Sequence, residues 1–554
     1  MSKILALLVL VGKLKVVSSA LEQIRDRLTD DGPAPARPSS HKWSVAIAVM
    51  LGATLEVLDT SIVNVSLPHM QGSFSASRDE VTWIVTSYIV TNGIMIPLTG
   101  WISARFGRKR YFLFSVVVFV IASGLCGAAA SLTQIVVFRL LQGVAGAAMI
   151  PSSQAIMMEA FPPEEQSLAM SVWGMGLLTS PMLGPTLGGW ITYNWSWRWN
   201  FYINLPIGIL AAVMVTIFVH DPEHIRKSQA AARKIDYIGI IYLALGLGLL
   251  QIVLDRGQRS DWFSSPWVCV SIAVAAVSLV VLVVHELRFP EPILDLSILR
   301  LPLFDIPVTV ILAMILAVYG MNLLNPLFFQ ELLDYSPWKS GLAVLPRGFG
   351  TLIGMLLIGQ LSRRGFDIRW LVGVGFVVLT YALWSMGEWT LDVSITTVRA
   401  AMILSGLGSG LIFPALSAAS LACVEKERMG YAASLFNMVR NTGSAIGISL
   451  VSNLLNSREQ IHQAYLTEHF TPFDAWRLDL MSPSRMPGSP HFGLVQGLVA
   501  QHAQGFGVTY QTIQRQASLL AYNDIYRMLA MIVALFVPAF LLLKKTAGRA
   551  GGAH

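Results

Sequence analysis

Apolar residues fall in blocks along nearly the whole chain, separated by short polar gaps. Each block is about 17 to 25 residues long, the length a helix needs to cross a bilayer. Fourteen such spans are predicted, near 44–67, 81–100, 111–130, 133–156, 166–190, 201–219, 235–254, 266–285, 304–329, 340–361, 370–388, 396–418, 430–454 and 523–543. The first holds two carboxylates, Glu56 and Asp59, three residues apart and so on one helix face. An ionised carboxylate at bilayer depth costs about 2.5–3.5 kcal/mol on insertion scales, so such groups face an interior and serve a purpose. Desolvation and a like-charged neighbour favour the protonated form, which makes the pair a candidate proton site. The alternative is a polar pair satisfied by neighbouring helices.

Composition agrees with a membrane protein. The 554 residues are 54% hydrophobic and 13% charged, against about 25% charged in soluble chains. The net charge of +7 does not point to nucleic acid. Its Lys and Arg residues gather in the short gaps on one side, fifteen of them including Arg105, Arg108, Lys109, Arg110, Arg226, Lys227, Arg233 and Lys234. By the positive-inside rule, that side and both termini are cytoplasmic. The three cysteines, Cys126, Cys269 and Cys423, are too scattered for a disulfide framework or metal cluster. The chain shows no Gly-Lys-Ser/Thr phosphate loop and no nucleophile–base set, so an enzyme is not expected. No metal or other cofactor is expected either, leaving an ion gradient as the source of energy.

The spans divide as six, two and six. Residues 1–42, with the Pro-rich stretch Gly32–Pro38, are expected to be a partly disordered cytoplasmic extension, although Val17-Ser-Ser-Ala20 faintly resembles a signal cleavage site. Residues 43–220 form an N-terminal six-helix bundle, 221–303 two linker helices with flanking loops, and 304–545 a C-terminal six-helix bundle. Residues 546–554 form a cytoplasmic tail. Spans seven and eight are read as poor in intramembrane polar groups. The gap 455–522 is long and external, with four prolines and helix-permissive stretches at 458–466 and 511–520; an ordered cap or docking site is expected there. Two similar helical halves suit alternating access, with substrate bound between them.

Further motifs carry chemistry. Gly100, Arg105, Gly107 and Arg108 belong to a basic turn between spans two and three, able to clasp an acidic or helix C-terminal partner in the other half. Arg139 lies in span four, where Gly143 and Gly146 admit a close neighbour. Span five holds Gly184, Pro185, Gly188 and Gly189, a small-residue packing face with a bend. Together with Leu58–Pro68, the basic turn resembles the signature of the major facilitator superfamily, with Ala104 standing where many members have Asp. Arg139-Leu-Leu-Gln-Gly143 resembles its proton-relay motif and Gly184-Pro-Thr-Leu-Gly-Gly189 its antiporter motif. With Trp195–Gly208 and Asn437–Gly447 added, the chain resembles the fourteen-span drug:proton antiporter family.

The resemblance implies an all-α integral membrane protein with the major facilitator fold. It implies a proton-coupled multidrug efflux permease of the cell inner membrane, working by alternating access. Hydrophobic and amphipathic compounds would pass to a periplasmic membrane-fusion adaptor and an outer-membrane channel. Protons would act at Asp59, Glu56 and Arg139. Face and polarity select Asn92, Met95, Trp173, Met321, Asn325, Phe328, Gln330, Phe436 and Arg440 as lining of the substrate cavity. A dedicated exporter of one metabolite class, such as fatty acids or siderophores, is the alternative, and Arg440 suits an anionic cargo. Proton-driven uptake is disfavoured by the span-five motif.

Overall fold

A computed structural model describes residues 42–543, apart from 163–164, 222–235, 261, 290–291, 365 and 469–497. The expectations for residues 1–41 and for the C-terminal tail lie outside the described residues. The described chain is helical and contains no strand. Its helices, in order, are α1 (Lys42–Phe74), α2 (Trp83–Met95 and Thr99–Phe106, joined by the 3-10 turn Ile96–Leu98) and α3 (Arg108–Ala128). Next come α4 (Leu132–Ala160), α5 (Gln166–Asn194), α6 (Trp199–Phe218), α7 (Tyr237–Arg256) and α8 (Pro266–Glu286). Then follow α9 (Pro302–Leu332), α10 (Pro337–Arg363), α11 (Ile368–Met386), α12 (Ile395–Ala422), α13 (Met429–Glu468) and α14 (Leu498–Leu535). Among the described residues, eleven helices are long and apolar enough to cross a membrane. Helices α2, α5 and α13 coincide with predicted spans two, five and thirteen but lie outside that eleven.

Local chemistry marks the helix ends. Ser131, Ser336 and Ser394 each accept a backbone N–H from three residues on, at the starts of α4, α10 and α12. Between α2 and α3, Gly107 has φ 92°, a backbone conformation that glycine reaches without strain. Outward faces carry exposed apolar side chains such as Phe114, Ile121, Val137, Val277 and Val280. In water such a surface would aggregate; in a bilayer it is solvated.

Helices α1–α6 pack among themselves, with α1 against α5 and α6, and α9–α14 do likewise, with α12 central. Helices α7 and α8 pair with each other, and α7 leans on α2 through Thr86, whose hydroxyl donates to Asp255 (2.6 Å). The linker pair carries its charged groups at a helix end. Asp236, His285 and Glu286 cluster at one end of it, with His285 Nε2 2.8 Å from Asp236 Oδ2. In the gap 455–522, α13 runs on to Glu468 and helix resumes at Leu498, so both helix-permissive stretches are helical, and the middle of the gap lies outside the described residues. The helix-permissive stretches extend the neighbouring helices instead of standing apart. His462 and Arg458 both pair with Asp524, and Gln463 donates to the Tyr510 hydroxyl.

The two groups of six meet at the end that carries the basic turn. There Trp173 of α5 stacks on Phe413 of α12, and Asn437 of α13 donates to Gln154 of α4 (2.7 Å). A Cβ on Gly100 would lie 2.8 Å from the Tyr431 Cα, so α2 and α13 approach backbone to backbone. Glycine is the residue that permits this approach.

Candidate functional site

Asp59, on α1, is fully buried, and so is Arg139, on α4. Arg139 donates from Nη1 to Asp59 Oδ2 (2.6 Å) and to Gln142 Oε1 (2.8 Å), and from Nε to the Ile84 carbonyl (3.0 Å). The other Asp59 oxygen accepts from Gln142 Nε2 (3.0 Å) and from Asn204 Nδ2 (2.7 Å). Asn204 also donates to Ser123, whose hydroxyl donates to the Phe201 carbonyl. The guanidinium lies over the Tyr88 ring, 4.3 Å from its centroid. Helices α4 and α6 therefore donate directly to a carboxylate on α1, and α2 and α3 hold those donors through Ile84 and Ser123. The close approach of α4 to α2 depends on Gly143, where a Cβ would lie 2.7 Å from the Tyr88 carbonyl oxygen. One turn earlier on the same helix, Arg139 is thereby brought to Ile84 and Asp59.

Glu56, one turn from Asp59, is served differently. Asn92 Nδ2 donates to its Oε1 (2.9 Å), while its Oε2 is buried with no partner among the described residues. Tyr88 comes near this carboxyl without closing a hydrogen bond to it. Arg440, from the opposite half, acts on Glu56 through charge but forms no ion pair with it. Two carboxylates on one face thus have opposite surroundings. One is saturated by donors and one is half-served.

The basic turn binds within its own half. Arg108 pairs with Glu159 at the end of α4 (2.5 Å), and Lys109 donates its backbone N–H to Asp221 (2.8 Å). Toward the other half, a Cβ on Gly430 of α13 would lie 3.5 Å from Arg108 Nη2, so the turn also approaches that seam. Arg105 lies over the Trp101 and Phe106 rings. In α5, Gly184 and Gly188 pack on Ser61 and Ile62 of α1, whereas Gly189 has nothing closer than 3.9 Å. The Pro185 side chain lies outside the described residues.

Several expected lining residues are engaged elsewhere. Asn325 accepts from Tyr526 and contacts the Met402 sulfur, and Phe328 sits among Phe329, Trp389 and Tyr522. With Met321 they are fully buried inside the C-terminal group, so none lines a gap between the halves in this conformation. Trp173 donates its indole N–H to Ser153 and closes the seam, and Phe436 is buried. Asn92 is buried against Glu56, Met95 is half-buried, and Gln330 is exposed. Gln142, Asn204 and Ser123 were not singled out from the sequence. Gln142 had a usable signal, since it stands one turn after an intramembrane arginine.

The fold, the buried acid–guanidinium cluster and the apolar exterior define a multi-pass membrane transporter. The family model described as Major Facilitator Superfamily matches residues 49–448, and the chain belongs to that family. It is 34% identical over 489 residues to the multidrug export protein EmrB of Haemophilus influenzae, covering 88% of this chain and 92% of that one. It is 32% identical to EmrB of Escherichia coli K12 (92% and 96% covered) and 32% identical to the fatty acid resistance protein FarB of Neisseria gonorrhoeae (94% and 99%). Among solved structures, the human organic anion transporter MFSD10 superposes with a TM-score of 0.59 at 15% identity, covering 91% of this chain and all of that one. The proton:xylose symporter XylE superposes with a TM-score of 0.55 at 16% identity, covering 91% and 97%. At those identities the likeness is one of fold.

Proposed function

We propose that this protein is a proton-coupled efflux permease of the inner membrane, crossing it fourteen times with both termini in the cytoplasm. It exports hydrophobic and amphipathic compounds by alternating access. A periplasmic membrane-fusion adaptor and an outer-membrane channel carry them onward. The EmrB relatives, similar over most of their length, support the class of cargo. The observation that carries the mechanism is the pairing of Asp59, saturated by Arg139, Gln142 and Asn204, with Glu56, which keeps one oxygen unserved one turn away.

A proton reaching Glu56 supplies the missing donor at its unserved oxygen. A proton reaching Asp59 has to displace Arg139, and the freed guanidinium then needs another partner. The two sites are read as a relay: Glu56 loads first, and the Asp59–Arg139 pair opens as the halves rock. Protonation drives transport only to the extent that it favours one conformation. Inverting a 1:99 population takes about 5.5 kcal/mol of differential affinity. In the described state the seam is closed at the basic-turn end, through Trp173–Phe413 and Asn437–Gln154.

The test is proton movement in inverted vesicles with an imposed pH gradient. Asp59→Asn and Glu56→Gln are each expected to abolish uphill export while cargo binding persists. Normal proton-coupled export by Asp59→Asn would remove Asp59 from the mechanism. A dedicated exporter of one anionic metabolite class is a second reading, favoured by Arg440, which is nearly buried and has no ion-pair partner among the described residues. Many unrelated compounds stimulating proton movement supports the first reading; a single class supports the second.

A further inference from the structure

Arg347 stands at mid-depth in α10, a helix of 27 residues whose apolar window spans Trp338–Ser362. Its Nη1 donates to the Asn322 side chain of α9, and no carboxylate lies within ion-pairing distance of it among the described residues. Its carbonyl oxygen meets Gly406 of α12, so the backbone at this point is fixed. A guanidinium at this depth is costly unless paired, and a neutral amide offers no countercharge.

The helix wheel decides where this cation looks. Exposed Leu342, Phe349, Ile353, Leu356 and Leu357 mark the lipid-facing side of α10. At 3.6 residues per turn, Arg347 lies about 80–180° away from each of them. It is therefore not a lipid-facing arginine reaching for the membrane surface. On one flank, Gly350 and Gly354 pack on α12. On the other, Met355 touches Gly174 and Gly359 touches Leu168, both in α5 of the opposite group. Arg347 sits between these flanks, two turns from Met355. Asn322 is exposed and Arg347 half-buried, so the pair can be reached from outside the packed interior.

We propose that Arg347, oriented by Asn322, recognises the anionic head group of an amphipathic ligand: a carboxylate, sulfonate or phosphate bound in the space between the halves. This rests on the exporter reading above and adds the chemical class of one group of cargoes. A guanidinium gives such heads two parallel N–H donors, and charge-assisted bonds of this kind contribute about 1.5–3 kcal/mol. The apolar tail then lies along the hydrophobic walls.

The test uses two ligands with one tail and opposite heads, radiolabelled decanesulfonate and decyltrimethylammonium. Equilibrium binding is measured on purified protein reconstituted in phosphatidylcholine, which needs no proton coupling, so a failure of the transport reading does not touch it. Arg347→Gln is expected to weaken decanesulfonate binding about tenfold or more while decyltrimethylammonium changes by less than twofold. Arg347→Lys is expected to restore part of the loss, since it keeps the charge but not the fork. Equal changes for both ligands, or none for the sulfonate, would overturn the proposal. A second arm adds phosphatidylglycerol. If the anion at Arg347 is a transported amphiphile, sulfonate affinity stays within twofold. If the lipid abolishes the sulfonate's advantage in the native protein but not in Arg347→Gln, a lipid head is the occupant and the cargo assignment fails.

Discussion

Asp59 and Glu56 share a helix face and differ in what surrounds them, and that difference sets what each substitution does. Asp59→Asn removes the charge that Arg139 is paired with and leaves a buried guanidinium uncompensated. Breaking such a pair costs about 3–5 kcal/mol. Asp59→Asn is therefore expected to lower the thermal midpoint of the purified protein clearly. Glu56→Gln keeps an acceptor for Asn92 and offers two N–H donors near Tyr88, so its midpoint is expected to move little. Equal thermal losses for the two would contradict the contrast drawn between the sites. Asp221 behaves in the opposite sense to a paired acid. Burial holds its carboxyl above the ordinary range, against the Lys109 amide and the Arg108 and Lys109 charges that pull it down. A raised folded-state value means that the group favours the fold in acid, and that this contribution is lost as pH rises through the raised value. Asp221→Asn, which retains an acceptor for Lys109, is expected to be at least as stable as the native protein at pH 7. Its relative advantage should shrink as pH falls toward the ordinary carboxylate value of about 3.9. Thermal unfolding at both pH values measures this, and a growing advantage in acid would refute it.

At the scale of helices, the span-five motif separates into positions that matter and one that does not. A Cβ on Gly184 would sit 2.2 Å from the Ser61 hydroxyl, which itself donates to the Pro181 carbonyl (3.1 Å). Gly184→Ala must push α5 off α1, at an overpacking cost of about 1–3 kcal/mol, and it disturbs the helix that carries both acids. Gly189→Ala meets only Val65 at 3.9 Å. Loss of export in the first variant and near-normal export in the second is the expected outcome of a vesicle assay; the reverse would sink the packing argument. The helices themselves were legible because bilayer-length apolar runs leave few alternatives. Asp59 and Arg139 were legible because ionisable groups stand out in such runs. Gln142, Asn204 and Ser123 were not, because uncharged polar residues occur in many membrane helices and only the fold brings these three together. Asn325 and Phe328 misled for a related reason: polarity and aromaticity do not reveal whether a helix face turns toward the other half or toward its own. The helical stretches 458–466 and 511–520 were legible from their composition, although their continuity with α13 and α14 was not, because polar helical turns carry no apolar signature.

For the molecule as a whole, the closed seam offers a direct handle on the cycle. A Cβ on Gly430 would lie 3.1 Å from the Ser103 hydroxyl, within the range a disulfide spans. With the three native cysteines replaced, Ser103→Cys together with Gly430→Cys is expected to cross-link under mild oxidation, arresting transport until a reductant is added. Failure to cross-link, or undiminished transport by the cross-linked protein, would show that this seam does not have to open. Helix α13 passes through the same seam. It starts at Met429 beside the basic turn, carries Arg440 past Glu56, and continues unbroken for 40 residues to Glu468, where it is strapped to α14 by His462 and Asp524. At 1.5 Å per residue that is a rod of about 60 Å. A tilt of about ten degrees at its base sweeps its tip through roughly 10 Å, by the same geometry. Were the seam to open by tilting α13, a lever at the helix's far end would swing with it, and anything resting on that tip would be told when the gate moves.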